Sequence, residues 1–326
     1  MPEIITNSLK LSDLGEREVI DILVGKQRDI DDCAVLNCGD TDLLLSTDLI
    51  TRATHLPEGT SPFLAGKFFA AINLSDIAAM AGIPEGMLVS ISVFPGYDIQ
   101  YLQEFYKGIT YELSRFNASI IGGDTKEGED FTASGTIIGR QKPELVRKRS
   151  YIAPGQQLFV TNSLGSAAAG YIYYKYGRDR QEGIKKMLDI EPRISEAQKI
   201  SENGAKFMMD LSDGIYASIY QMHRDFGTGF RIYMENIPVA SSVAEASKIS
   251  GFSIEDIALS FGGDYELLFT IDNKDTERFM DAMKNEDIDV HKIGETYNGI
   301  NEIHDGSWRP VNNRGYEHFK DVPLNK

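Results

Sequence analysis

SPFLAGKFFAAINLSDIAAMAGIPEGMLVSISVF, residues 61–94, is the stretch from which the architecture can be read. Ser61 stands where an N-cap belongs, and Pro62 follows at the first helical position, where its missing N–H costs nothing. Apolar residues then recur at helical spacing as far as Met80, and GMLVSISVF (86–94) reads as a strand. The same alternation extends outward. TDLLLST (41–47) is expected as a strand, IQYLQEFYKGITYELSRF (99–116) as a helix, ASIIGGD (118–124) as a short strand ending in glycines, and FTASGTIIG (131–139) as another strand.

The charged run RQKPELVRKRSYIAPG (140–155), with two prolines, interrupts the pattern and marks a domain boundary. We expect one domain at 1–148 and a second at 149–326. The second half again mixes both periods: QLFVTN, GFRIYM and YELLFTI as strands, SAAAGYIYYKYG and TERFMDAMKN as helices, and AKFMMDLSDG as a strand turning into a helix. Helices between strands in two lobes predict an α+β fold of two α/β domains.

With 326 residues, 42% of them hydrophobic and 25% charged, a sizeable core is available. The net charge of −16 disfavours nucleic acid and anionic membranes as partners. Anionic substrates would therefore need cations to mediate. Two cysteines, Cys33 and Cys38, make no disulfide framework and fit a reducing compartment. The start MPEIITNSLKLSD has neither the basic segment nor the apolar core of a secretory signal, and Ser150 to Tyr174 is too broken by polar residues to span a membrane. A cytoplasmic protein is expected.

Aspartates recur where apolar elements end: Asp31 and Asp32 before CAVL, Asp48 after LLLST, Asp76 late in the first long helix, Asp124 after IIGG, and Asp210 and Asp213 in MDLSDG. One such aspartate says little, because the residue favours caps and turns. Several separated segments doing so point to convergence, and clustered carboxylates need cations. Oxygen ligands at this density suit Mg²⁺, which commonly holds substrate phosphates as well. Gly122 and Gly123 before Asp124 fit either a phosphate approach or a plain strand-ending turn. Asp210 and Ser212 would share one face of an extended strand, with Asp213 opening the next helix. No GxxxxGK[ST] occurs, and no Ser-His-Asp or Cys-His set can be argued from spacing. Of the five histidines, only His55, on the loop leaving the Asp48 strand, is a candidate for touching a ligand.

In order, DDCAVL (31–36), LLLSTD (43–48) with His55 downstream, AAINLSDIAAMAGIP (70–84), IIGGDTKEG (120–128), MDLSDG (209–214), FGGDYELLFT (261–270) and GYEHF (315–319) resemble the thiamine-monophosphate kinases. These belong to the aminoimidazole ribonucleotide synthetase-like group of ATP-binding enzymes. The resemblance implies transfer of the γ-phosphoryl of ATP to thiamine monophosphate through several Mg²⁺ ions, in a homodimer. Its metal positions would be Asp32, Ser46, Thr47, Asp48, Asp76, Asp124, Asp210 and Asp213. Tyr106, Gly123, Asp124, Arg149 and Ser212 would meet ATP, and His55 and Tyr316 the thiamine end. Catalysis would rest on Asp48, Asp124, Asp210, Asp213 and Arg149.

It further implies an N-terminal domain that binds ATP and Mg²⁺, with strands forming a barrel across the dimer interface, and a C-terminal domain closing the cleft. The chain departs from the family pattern at Gly263, where a glutamate is usual, leaving Asp264 or Glu266 as substitutes. It departs again at Arg28 and Ile30, which replace glycines, and at Lys126 and Glu127, which replace a threonine and an arginine. Two other readings are a ligase or cyclase of the same superfamily and a catalytically silent nucleotide-binding regulator.

Overall fold

The structure, a computed structural model, describes residues 10–14, 16–25 and 31–311. Arg28, Ile30 and Tyr316 lie outside the described residues.

The first half contains α1 (Leu11–Leu14), α2 (Glu16–Val24), β1 (Ala34–Asn37), β2 (Asp42–Thr51), α3 (Arg52–His55), α4 (Pro62–Ala79), β3 (Ile83–Val93), α5 (Ile99–Ser114), β4 (Ser119–Glu127) and β5 (Thr132–Gln141). Helix α4 begins as the sequence predicts: Ser61 Oγ accepts the Leu64 N–H at 3.2 Å, with Pro62 in the first turn. The five strands form a sheet in the order β1-β2-β5-β3-β4, antiparallel except for β3 with β4. The expected barrel across a dimer is overturned. This sheet is open, its ends β1 and β4 lie about 19 Å apart by strand spacing, and α4 packs on β2, β3 and β5.

The second half contains β6 (Gln156–Thr161), α6 (Ser166–Lys175), α7 (Arg180–Leu188), α8 (Ile194–Glu202), β7 (Ala205–Asp210), α9 (Ile215–Phe226), β8 (Gly229–Tyr233), α10 (Val243–Ser250), a π-helical turn (Asp256–Ser260), β9 (Leu267–Asp272), α11 (Thr276–Asn285), β10 (Val290–Tyr297), β11 (Glu302–Asp305) and β12 (Ser307–Pro310). Its seven strands run β12-β11-β8-β10-β6-β9-β7, antiparallel except for β11 with β8. No helix among the described residues is long and apolar enough to cross a membrane.

Helix α4 explains how the halves meet. It touches β2, β3 and β5 on one side and β7, α7 and α8 on the other. A helix covered all round must be apolar all round, and its buried residues include Phe68, Phe69, Ile72, Leu74 and Ile77. It also crosses α5 closely enough that a Cβ on Gly66 would sit 1.9 Å from the Phe105 carbonyl oxygen, and one on Gly108 2.0 Å from that of Phe63. One core cluster runs from Phe69 and Phe105 through α4 to Phe159, Phe269 and Phe279, so the two sheets share an interior.

Candidate active site

A polar residue on a helix this deeply covered needs a partner, because an unpaired buried polar group is costly. Ser75 and Asp76, adjacent on α4, find theirs in opposite halves. Ser75 Oγ donates to Asp210 Oδ2 at 2.7 Å at the end of β7, while Ser46 Oγ on β2 donates to Asp76 Oδ2. The buried Cys33 thiol donates to the Asp76 carbonyl at 3.3 Å, which fixes the neighbouring Asp32. As a result one carboxylate oxygen each from Asp32, Asp76 and Asp210 lies within 4.8 Å of the others. Strand alternation turns Ser46 and Asp48 to the face shared with the buried Leu44 and Ile50.

The electrostatics record this crowding. Burial, followed by Asp48, Asp210 and Asp32, pushes the Asp76 carboxyl well above its ordinary range. Burial and then Asp32 raise Asp210 to about 7, against the Ser75 hydrogen bond and Arg149. Asp31, which no motif singled out for a role, is likewise raised to about 7 by burial and by Asp32. Among the described residues the cation paired with this cluster is Arg149, on a short turn within the charged run. Its Nη2 donates to Asp32 Oδ1 at 2.5 Å, its Nε to Asp32 Oδ2 at 3.2 Å, and its backbone N–H to Asp31 at 3.2 Å. Among the described residues, one arginine against this many carboxylates leaves negative charge for further cations.

A cavity of about 1000 Å³ opens beside the cluster, and Ser212, between Asp210 and Asp213, lines it. His55 lines it from the first half, held by Thr51, whose backbone N–H donates to Nδ1 at 3.3 Å, and by Thr54 Oγ1 at 2.7 Å from the same nitrogen. Gly263 is also on the wall, at φ +95°, and its N–H donates to the Ser212 carbonyl at 2.8 Å. Neither expected substitute for a side chain at 263 lines the cavity. Asp264 accepts the Gly165 and Ala167 N–H groups at 2.6 and 2.9 Å, the N-terminal turn of α6. Glu266 is buried in a forked pair with Arg193, at 2.6 and 2.9 Å, and accepts from Thr161 and Asn162 as well.

Between these two anchored carboxylates, Tyr265 is held at φ +53°, an uncommon conformation for a residue with a Cβ. Burial, and then Asp48, Asp210, Asp213 and Asp76, raise its hydroxyl well above the ordinary value. Tyr265 and Ser75 were missed from sequence, and Asp31 was noted there only as an aspartate at an element end, without a role. For Ser75 the signal was present, since it is the residue before Asp76 in NLSD.

Other sequence candidates are not brought to the cluster in this chain. Thr47 points to the opposite sheet face, donating to the Gly135 carbonyl at 2.8 Å. Gly123 and Asp124 lie on edge strand β4, three strands from β2 and so about 14 Å away. Asp124 is 61% exposed, with Lys126 Nζ 3.6 Å from its Oδ1. A Cβ on Gly123 would stand 1.8 Å from the Val89 carbonyl oxygen, so strand packing by itself requires glycine there. Tyr106 is half-buried on α5, edge-on to Phe105.

Residues 30–141 match the family described as AIR synthase related protein, N-terminal domain, and residues 153–305 match AIR synthase related protein, C-terminal domain. The two sheets are therefore the paired domains of an AIR synthase related protein. The thiamine-monophosphate kinase of Buchnera aphidicola subsp. Acyrthosiphon pisum is 31% identical over 76% of this chain and 77% of its own. That of Methanospirillum hungatei is 30% identical over 94% and 99%. A solved structure described as AaThiL complexed with AMPPCP and TMP shares the fold with a TM-score of 0.85, at 24% identity, over 95% of this chain and 99% of that one. The chain belongs to the thiamine-monophosphate kinase family.

Proposed function

We propose that this protein phosphorylates thiamine monophosphate to thiamine diphosphate at the expense of ATP, with Mg²⁺ joining the phosphates to the aspartate cluster. The observation that carries the reading is the convergence of Asp32, Asp76 and Asp210 within 4.8 Å beside a large cavity. These donors fit magnesium, a hard cation that takes carboxylate oxygens and keeps substrate phosphates as further ligands. When bound, it would neutralise charge on the transferring group. Asp32, Asp76 and Asp210 would hold it, with Ser46, Asp48 and Asp213 beside them.

The chain's own residues then do three things. Ser75 and Ser46 fix the carboxylates of Asp210 and Asp76, so the ligands are oriented before the substrate arrives. Arg149, which pairs with Asp32 beside the cluster, would offset charge on the phosphates during a direct in-line transfer. His55 lines the cavity that receives the thiamine end, and Ser212, on the same wall between Asp210 and Asp213, meets ATP.

Gly123 and Asp124 lie three strands along the sheet from β2, and Tyr106 is on α5. In our reading they reach nucleotide within a homodimer. An exposed apolar sheet face supports that assembly, with Leu49, Leu88 and Ile121 at 53%, 38% and 53% exposure. We also retain the division at 148/149, and a cytoplasmic setting on the strength of two free cysteines.

The test follows label from γ-labelled ATP. It should appear on thiamine diphosphate in the presence of Mg²⁺, and Asp76→Asn should lower that rate about 10²- to 10³-fold. Label passing only to inorganic phosphate would overturn the reading.

A further inference from the structure

The cavity wall has chemistry of its own besides the aspartate cluster. It includes Asp256 and Ser260, the two ends of the π-helical turn Asp256–Ser260, a rare conformation that recurs at functional sites. Ser260 lies on this wall, and its Oγ is buried with no hydrogen-bond partner. A buried hydroxyl left unpaired is unfavourable until something bonds to it. On the same turn, Asp256 is fixed by Ser253: its Oδ2 accepts from Ser253 Oγ at 2.7 Å, and its N–H donates to that oxygen at 3.0 Å. The same cavity is also lined by Phe68, Tyr171, Tyr174, Phe252 and Phe261, with Glu58 as a second carboxylate. Among the described residues lining the cavity there is no lysine or arginine.

Aromatic faces and acidic side chains together select a flat cation, which ring faces and carboxylates both attract. The unpaired hydroxyl adds a demand for a polar edge on that ring system. Gly263 cannot meet the demand, having no side chain. A substitution there would combine its φ of +95° with a Cβ 3.1 Å from that of Ala167.

We propose that Ser260 and Asp256 are specificity-determining residues for the cationic heteroaromatic end of the substrate: the Ser260 hydroxyl bonds a polar ring edge, and the Asp256 carboxylate faces the positive charge. The inference rests on the reading of this cavity as the thiamine end, and it deepens that reading by assigning recognition to the turn rather than to position 263.

The experiment compares wild type, Ser260→Ala and Asp256→Asn as full chains with Mg²⁺. Steady-state constants are measured for ATP, for thiamine monophosphate and for its analogue carrying an oxo group in place of the pyrimidine amine. Each variant should raise the KM for thiamine monophosphate about 5- to 30-fold, leaving kcat and the KM for ATP within about twofold. Ser260→Ala should also lose discrimination against the oxo analogue. Its melting temperature without ligand should be equal to or above wild type, since it deletes an unpaired buried group, whereas a structural role would lower it. Asp256→Glu should restore part of the lost affinity.

Calorimetric binding of thiamine itself, which has the rings and no phosphate, separates two kinds of failure. A wild type that makes no thiamine diphosphate but binds thiamine more tightly than both variants would sink the kinase reading and support this one. A wild type that works, with variants unchanged in KM for thiamine monophosphate, would overturn this proposal alone. So would a wild type that binds no thiamine, or a Ser260→Ala protein that melts earlier and loses affinity for both substrates together.

Discussion

Raising the pH of the metal-free protein from about 5.5 to about 7 should destabilise it, because ionising the crowded carboxylates costs more when folded than when unfolded. Asp210 has an ordinary value of 3.8 and stands at about 7 in the folded chain. The folded state therefore keeps a proton that the unfolded state has released. That stabilisation is complete below the unfolded value and is lost as pH rises towards the folded one.

Over this window one retained proton is worth about 2 kcal/mol, at ~1.4 kcal/mol per pH unit. For a chain of this size that is a fall of about 4 °C in Tm. Asp31, raised likewise by burial and Asp32, adds in the same direction. The assay is thermal unfolding after chelation, across the pH series, for wild type and Asp210→Asn. The variant should lose much of the slope and be more stable than wild type near neutrality. Millimolar Mg²⁺ should raise the wild-type Tm most at the upper end of the series. A wild-type Tm that is flat or rising across this window, or an Asp210→Asn slope equal to that of wild type, would refute the reasoning.

Three further substitutions probe the frame around the site. Gly66→Ala should cost about 1–3 kcal/mol or more in denaturant melts, because its methyl must displace the α5 backbone at Phe105. Arg193→Ala should cost about 3–5 kcal/mol by leaving Glu266 buried without its cation, and a double variant with Glu266→Gln should recover part of the loss. Gly263→Glu, which restores the usual family residue, should be destabilised by about 1–2 kcal/mol through its positive φ, and kinetics should show no gain in affinity for thiamine monophosphate.

Long elements with a clean period were legible in the sequence. Ser61, Pro62 and the apolar run to Met80 give α4 nearly to the residue, and β2, β3, α5 and β5 also lie where expected. Strand β10 was not legible, because the irregularity between Lys292 and Gly294 breaks its alternation. The hairpin β11–β12 has only four residues in each strand, too few for a period to register. The barrel was implied by the family resemblance and not by any strand signal, since strand signals do not encode closure, which depends on which edges meet.

At the site, the aspartates could be found from composition at element ends, and Asp32, Asp76 and Asp210 do converge. Their convergence depends on α4 lying between two sheets, with Ser75 and Asp76 facing different halves. That is a tertiary fact with no local signature. Thr47 shows the converse. It adjoins Ser46 and Asp48, but alternation along β2 sends its side chain to the other face. Asp264 and Glu266 were plausible as free carboxylates until the helix α6 turn and Arg193 were seen to occupy them.

The most direct test of the account is to crystallise the protein with Mn²⁺ in place of Mg²⁺, a non-hydrolysable ATP analogue and thiamine monophosphate, and to locate the metal by anomalous scattering. The account predicts manganese at about 2.0–2.3 Å from carboxylate oxygens of Asp32, Asp76 and Asp210, with phosphate oxygens completing its shell and the thiamine rings in the cavity lined by His55 and Ser212. Phosphates bound elsewhere, with no metal on these three aspartates and Arg149 still paired to Asp32, would contradict it.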